Sequence, residues 1–148
     1  MKRRAGAAVM VILTAFFLTS CGTKTELQDG YYTSQACEFH FGWREYITII
    51  VKGGSIVSVE YNAENESGFI KSWDNSYMQN MLHTNGTYPN EYMRFYAGEL
   101  FEKQGKEQID ALSGATSSYN SFQQLAAAVV EQARRGDSSI VLVDIKEE

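Results

Sequence analysis

Apolar residues alternate with polar ones in the first half of the chain and recur at helical spacing in the second. Gly30 opens an extended, aromatic-rich run from Tyr31 to Phe41. A second run, Trp43 to Val51, sets Ile47, Ile49 and Val51 on one face and Tyr46, Thr48 and Ile50 on the other, so cover is expected on both sides. Gly53-Gly54 is a two-residue hairpin signal. Ser55 to Tyr61 then alternates, with Val57, Val59 and Tyr61 expected inward and Ser58 and Glu60 outward. The three runs predict an antiparallel meander.

Asn62 to Ser72 is polar, broken at Gly68, and predicts irregular chain. At Asp74 the period becomes helical, with Tyr77, Met78, Met81 and Leu82 on one face. Asn85 to Asn90 is a turn cluster holding the only proline, Pro89. A second helix follows, its stripe formed by Tyr92, Phe95, Tyr96 and Leu100, and Lys103 to Gln108 is a charged loop. The sharpest stripe comes last: Phe122, Leu125, Ala126, Val129, Val130 and Ala133. Arg134 and Arg135 suit the C-terminal end of that helix electrostatically, and Gly136 stops it. Ser138 to Ile145 is apolar on both faces, which predicts a central strand. The fold class expected is α+β: one domain over residues 30–148, an antiparallel meander followed by helices and a C-terminal strand.

The start of the chain follows another logic. Lys2, Arg3 and Arg4 precede an apolar run from Ala5 to Leu18, which is an export signal and is shorter than the roughly 20 residues of a membrane-spanning helix. Leu18-Thr19-Ser20-Cys21 resembles the lipobox of bacterial lipoproteins, which implies a signal peptide over 1–20 and a lipid-bearing, palmitate-type anchor at Cys21. Residues 21–29 are expected to tether the domain on the extracytoplasmic face of the cell membrane.

Charge narrows the partners. The chain carries 13 Lys and Arg against 18 Asp and Glu; without the leader's three basic residues the balance becomes −8. So acidic a domain is unsuited to nucleic acid or anionic headgroups. With Cys21 lipidated, Cys37 has no partner and is expected as a small buried hydrophobe on a strand. His40 and His83 stand alone, so no metal is expected, and no nucleophile elbow or nucleotide-binding glycine loop occurs.

One stretch remains for chemistry: Asp110-Ala111-Leu112-Ser113-Gly114-Ala115-Thr116-Ser117-Ser118. Small residues let a ligand approach the backbone, and hydroxyls stand where a helix begins, with its unpaired N–H groups and positive dipole end. That pattern suits a phosphate. By itself it is better read as a serine- and threonine-rich helix cap. Trp73 and Tyr88, in or beside loops, are the aromatics best placed to stack on a flat ring.

Asp-x-x-Ser-Gly-Ala-Thr closely resembles the motif of the FMN-binding domain family. The likeness extends to Asp29-Gly30-Tyr31-Tyr32, to Gly68 through Asp74 and to Gly86 through Tyr92, and departs at Ala111, where the family often has glycine. The resemblance implies FMN joined by a phosphoester to Thr116, loaded from FAD by a flavin transferase. Ser113, Gly114, Ala115, Ser117 and Asp110 would surround it, with Gly114 and Ala115 leaving room for the phosphate. Because Gly114 lies in a loop, a bulky residue there is expected to impair loading and leave the fold intact. The function implied is an electron carrier rather than a stand-alone enzyme, fed by a membrane dehydrogenase or quinone-linked donor. Two other readings stay open: a flavin-free surface lipoprotein that binds a small ligand or protein, and a docked subunit of a membrane redox complex.

Overall fold

Two glycines decide how the sheet starts. Gly53 and Gly54 have φ of 62° and 74°, the left-handed pair a two-residue hairpin needs, and they join β2 (Arg44–Lys52) to β3 (Ser55–Glu64). The structure is a computed structural model and describes residues 26–146. Its elements run β1 (Gly30–Ala36), β2, β3, a 3-10 turn (Lys71–Trp73), α1 (Asn75–Asn85), α2 (Pro89–Lys103), α3 (Thr116–Arg135) and β4 (Ile140–Val143). The four strands form one sheet in the order β3-β2-β1-β4. The first three pair antiparallel; β4 pairs parallel with β1 after the crossover through α3. The α+β architecture stands as expected.

The core lies between one face of the sheet and helices α2 and α3. Ile47, Ile49 and Val51 from β2 meet the whole stripe of α3, Phe122 through Ala133, all buried. The opposite face of β2, with Tyr46, Thr48 and Ile50, is half-buried only, so the expected double cover is not found. Gly136 caps α3 in the left-handed conformation at φ 70°.

Six expectations are corrected. The final strand is an edge strand, shorter than predicted, with Ile140 and Leu142 exposed: its place was set by the parallel crossover and not by its apolarity. A β-bulge at Ile50/Val51 turns Val57 outward and puts Ile56 in the core, because the extra residue reverses the alternation. Cys37 is exposed just past the end of β1, where its N–H bonds the Val143 carbonyl; the run to Phe41 breaks into a turn with Phe41 at φ 50° and Gly42 at φ 80°. In α2 the buried partner is Met93, and Phe95 is exposed. Helix α1 buries no residue; Tyr77 and Met81 only lean on the core, and Leu82 is exposed.

The leader and Cys21 lie outside the described residues. Of the stretch expected as a tether, Gln28 and Asp29 are tied to the domain: the Gln28 N–H donates to the Ala133 carbonyl at 2.8 Å, and the Gly54 N–H donates to the Asp29 carboxylate at 3.0 Å. The backbone amides of Gly53 and Gly54 hold that carboxyl below the usual carboxylate range. Among the described residues no helix is long and apolar enough to cross a membrane.

Candidate functional site

Residues 109–115 are a loop held on three sides. Tyr119 donates its hydroxyl to the Ile109 carbonyl at 2.6 Å, and the Leu112 N–H donates to the Tyr96 hydroxyl at 3.0 Å. The Ala115 N–H closes a turn on the Leu112 carbonyl, and Asn85 reaches the Gly114 carbonyl through Nδ2 at 3.4 Å. Two tyrosines from two helices thus fix where α3 starts.

The start itself is bare. Ala115 is the N-cap residue and supplies no capping side chain. The first bond of the α3 ladder runs from the Tyr119 N–H to the Ala115 carbonyl, leaving the amides of Thr116, Ser117 and Ser118 without partners in the helix. Thr116 and Ser117 are exposed, as are Ser113 and Asp110; Ala115 and Ser118 are buried. Three amide donors, an exposed threonine hydroxyl and the dipole of a 20-residue helix converge at one end.

Gly114 has a different reason for its identity than the room for phosphate expected of it. Its φ is 83°, and a Cβ there would lie 2.3 Å from the Asn85 carbonyl oxygen and 3.2 Å from Thr87 Cγ2. The turn between α1 and α2 presses directly on this residue. A bulky side chain would therefore damage the fold, contrary to the expectation that only loading would suffer. Tyr88 follows that turn as the half-buried residue that opens α2, with Pro89 at the first helical position. Trp73 does not join the motif: it lines a groove between β3 and α2 that no motif residue lines.

Beneath the first turns of α3 lies a buried polar cluster that sequence reasoning missed. Tyr61 donates its hydroxyl to the Ser118 carbonyl at 3.1 Å. Burial, and then the nearby Glu45, push the Tyr61 phenol well above its ordinary pKa. The Tyr92 hydroxyl is buried and finds no hydrogen bond of good geometry, although Ser118 stands close enough to ease its ionisation. Lys71 is only 6% exposed. Its ammonium sits 5.9 Å from the ring centre of Trp43 and 5.1 Å from that of Tyr77, and it makes no ion pair or hydrogen bond. Burial lowers the Lys71 pKa, opposed by the charge of Glu45; burial raises the Glu45 pKa, opposed first by Lys71. The only hint had been that Lys71 falls in the Gly68–Asp74 stretch, where its polar neighbours gave no sign of burial. Among the described residues no cluster of His, Cys, Asp and Glu is arranged to hold a metal.

These residues suit a phosphate-bearing group. The uncapped amides and exposed hydroxyls would hold the phosphate, and beneath them the Tyr92 hydroxyl is buried near Ser118 without a hydrogen bond of good geometry. The FMN-binding domain family matches residues 42–131. The "15 kDa lipoprotein" of Treponema pallidum (strain Nichols) is 31% identical over 86% of this chain and 91% of its own. A crystal structure of a Clostridium perfringens protein superposes with a TM-score of 0.77 at 35% identity, covering 81% of this chain and 99% of that one. A solution structure from Clostridium thermocellum gives 0.50 at 29% identity, over 72% and 92%. By motif, fold and relatives, this chain belongs to the FMN-binding domain family.

Proposed function

We propose that the protein is a lipid-anchored flavin carrier, with FMN bonded through its phosphate to the Thr116 hydroxyl. The observation that carries this is the bare start of α3, where an exposed threonine oxygen stands beside three amides that no side chain caps. On loading from FAD, the threonine oxygen bonds to the FMN phosphorus, the pyrophosphate bond to AMP breaks and the hydroxyl proton leaves. The amides of Thr116, Ser117 and Ser118 neutralise the phosphate, and the Ser113 and Ser117 hydroxyls add donors. The flavin supplies the redox chemistry; the chain positions it and sets the polarity around it.

Anchoring rests on Leu18-Thr19-Ser20-Cys21 and on the lipoprotein name of the Treponema relative. The geometry favours an outward-facing carrier on this reading. Gln28 joins the domain beside Ala133, at the C-terminal end of α3, whereas Thr116 is its first residue. The helix between Thr116 and Ala133 separates them by about 25 Å. The flavin end then points away from the tether, toward an external partner, while a membrane dehydrogenase or quinone-linked donor must reach around the domain.

Acid denaturation tests the bond. Wild type co-expressed with a flavin transferase should keep its flavin absorbance with the polypeptide, and Thr116→Ala should lose it. Thr116→Ser should load in part, since it keeps the oxygen but not the methyl that restricts χ1. Flavin retained by denatured Thr116→Ala, or never acquired by wild type, would sink the proposal. For the anchor, Cys21→Ala should abolish palmitate labelling.

A further inference from the structure

Helices α2 and α3 cover one face of the sheet, and large exposed apolar side chains of the strands stand on the other. Strand register says where. Tyr31 lies opposite Ile50 across the β1–β2 pair. Across the β1–β4 pair, Thr33 lies opposite Ile140 and Gln35 opposite Leu142. Residues two apart on a strand share a face, as do partners across a pair, so Ile50, Tyr31, Ile140 and Leu142 form one diagonal stripe. Tyr31 is 68% exposed, Ile140 63% and Leu142 59%.

The stripe begins where the chain enters the domain. The Gln28 N–H bonds the Ala133 carbonyl, the Asp29 carboxylate accepts the Gly54 N–H, and Gly30 then starts β1 with Tyr31 next. Ile140 opens β4, which runs parallel to β1 and so starts at the same end. The far half of this face is polar instead. Arg44 pairs with Glu64 at 2.8 Å, Gln35 donates to the same carboxylate at 3.0 Å, and Asn62 donates to Glu60 at 2.9 Å.

Charge at the entry end nearly cancels. Lys52, Arg134 and Arg135 stand there with Glu26, Asp29, Glu131 and Asp137, so the acidic excess of the chain lies elsewhere. Only the stretch from Cys21 to Gln28 separates this end from the anchor, a reach of at most about 25 Å when fully extended. With a lipid on Cys21, a bilayer stands permanently within reach of the stripe, at high local concentration.

We infer that the outer sheet face docks at its tether end on an electrically neutral phospholipid surface, with Tyr31 and Ile140 in the headgroup region. The inference rests on the lipid anchor proposed at Cys21 and is independent of the bond at Thr116. The Tyr31 ring suits the boundary, its phenol oxygen meeting headgroups and its carbons the acyl chains. Ile140 and Leu142 lose exposed apolar area on contact. The polar half of the face and the first turn of α3 stay in water, so docking holds the flavin end outward and keeps the domain from swinging on its tether.

Spin labels test this on the mature lipoprotein reconstituted in phosphatidylcholine vesicles. In a Cys37→Ser background, Tyr31→Cys, Ile140→Cys and Phe41→Cys each carry one label, because lipid occupies the Cys21 sulfur. Labels at positions 31 and 140 should collide more with dissolved oxygen than with a water-soluble nickel chelate, and the label at position 41 should do the reverse. Ile140→Asp combined with Leu142→Asp should return the label at position 31 to aqueous behaviour while the protein stays on the vesicles. Labels at 31 and 140 as aqueous as that at 41, on protein that floats with the vesicles, overturn the docking and leave the anchor standing. Protein that does not float with the vesicles overturns the anchor and the docking together. Shielding of 31 and 140 that appears only at high protein-to-lipid ratio overturns the docking and gives the face to a second copy.

Discussion

The two ends of α3 are built to opposite rules. At its C-terminus Gly136 adopts the left-handed cap, its N–H bonds the Gln132 carbonyl, and the Asp137 N–H bonds that same carbonyl. Gln28 satisfies the Ala133 carbonyl, Gln132 Nε2 donates to the Ser139 carbonyl while Gln132 Oε1 stays buried without a hydrogen bond, and Arg134 and Arg135 face the negative dipole end. At the N-terminus nothing comparable happens. The N-cap is alanine, three amides are left over, and below them the Tyr92 hydroxyl has no hydrogen bond of good geometry. A helix end completed by its own chain contributes stability; one left incomplete is available to a ligand. The proposed attachment of FMN uses the end whose amides the chain leaves uncapped.

The strongest way to break this contrast is Gly114→Val. Its Cβ would lie 2.3 Å from the Asn85 carbonyl at a φ of 83°, so the α1–α2 turn must move. Denaturant unfolding should show a loss of about 3 kcal/mol or more, combining backbone strain with a steric clash. An unchanged midpoint would mean the turn is free to yield.

The matching change at the other end should be milder. Gly136→Ala places a Cβ 3.4 Å from Gln28 Cγ at a φ of 70°, so conformational strain dominates. A loss of about 1 kcal/mol is expected, measured in the same unfolding series. A loss equal to that of Gly114→Val would erase the distinction between the ends.

Glu45 alters a slope and leaves the level secondary. Its pKa is raised by burial, so above the ordinary glutamate value of 4.5 the folded state holds a proton the unfolded state has released. Its contribution to stability is therefore complete below pH 4.5 and is lost as pH rises through the folded pKa. Urea midpoints across acidic to neutral pH should show that fall in wild type and a flatter profile in Glu45→Gln. Parallel profiles would show that Glu45 titrates normally.

The smallest effect is expected at Tyr92. Its hydroxyl is buried without a good partner, so Tyr92→Phe should change stability by about 0.5 kcal/mol or less in flavin-free protein. Tyr61→Phe, which removes a bond to the Ser118 carbonyl, should cost about 1 kcal/mol. Calorimetry on the pair decides whether the orphaned phenol is as idle in the fold as its geometry indicates.

Legibility in the sequence followed the range of the interactions. The α3 stripe, the Gly53-Gly54 hairpin, the switch to helical period at Asp74, which the structure makes the N-cap of α1, and the Gly136 stop were all readable. Each depends on residues within a few positions of one another. So did the Ser-Gly-Ala-Thr motif at a helix start. By contrast, Val57 was misread because a bulge is a property of two strands, and β4 because apolarity does not reveal which neighbour a strand will find. Met93 replaced Phe95 because the angle at which α2 meets β3 decides which residues face in.

The amino-acid sequence by itself determined the α+β class, the helix that carries the motif and the threonine at its first turn, since periodicity, capping and turn chemistry act locally. Only the tertiary structure decided that Gly114 answers to Asn85, that Lys71 is buried against Trp43 and Tyr77, and that the Tyr92 hydroxyl is buried near Ser118 without a hydrogen bond of good geometry. Those facts join residues distant along the chain, and burial and steric contact exist only once such residues have been brought together.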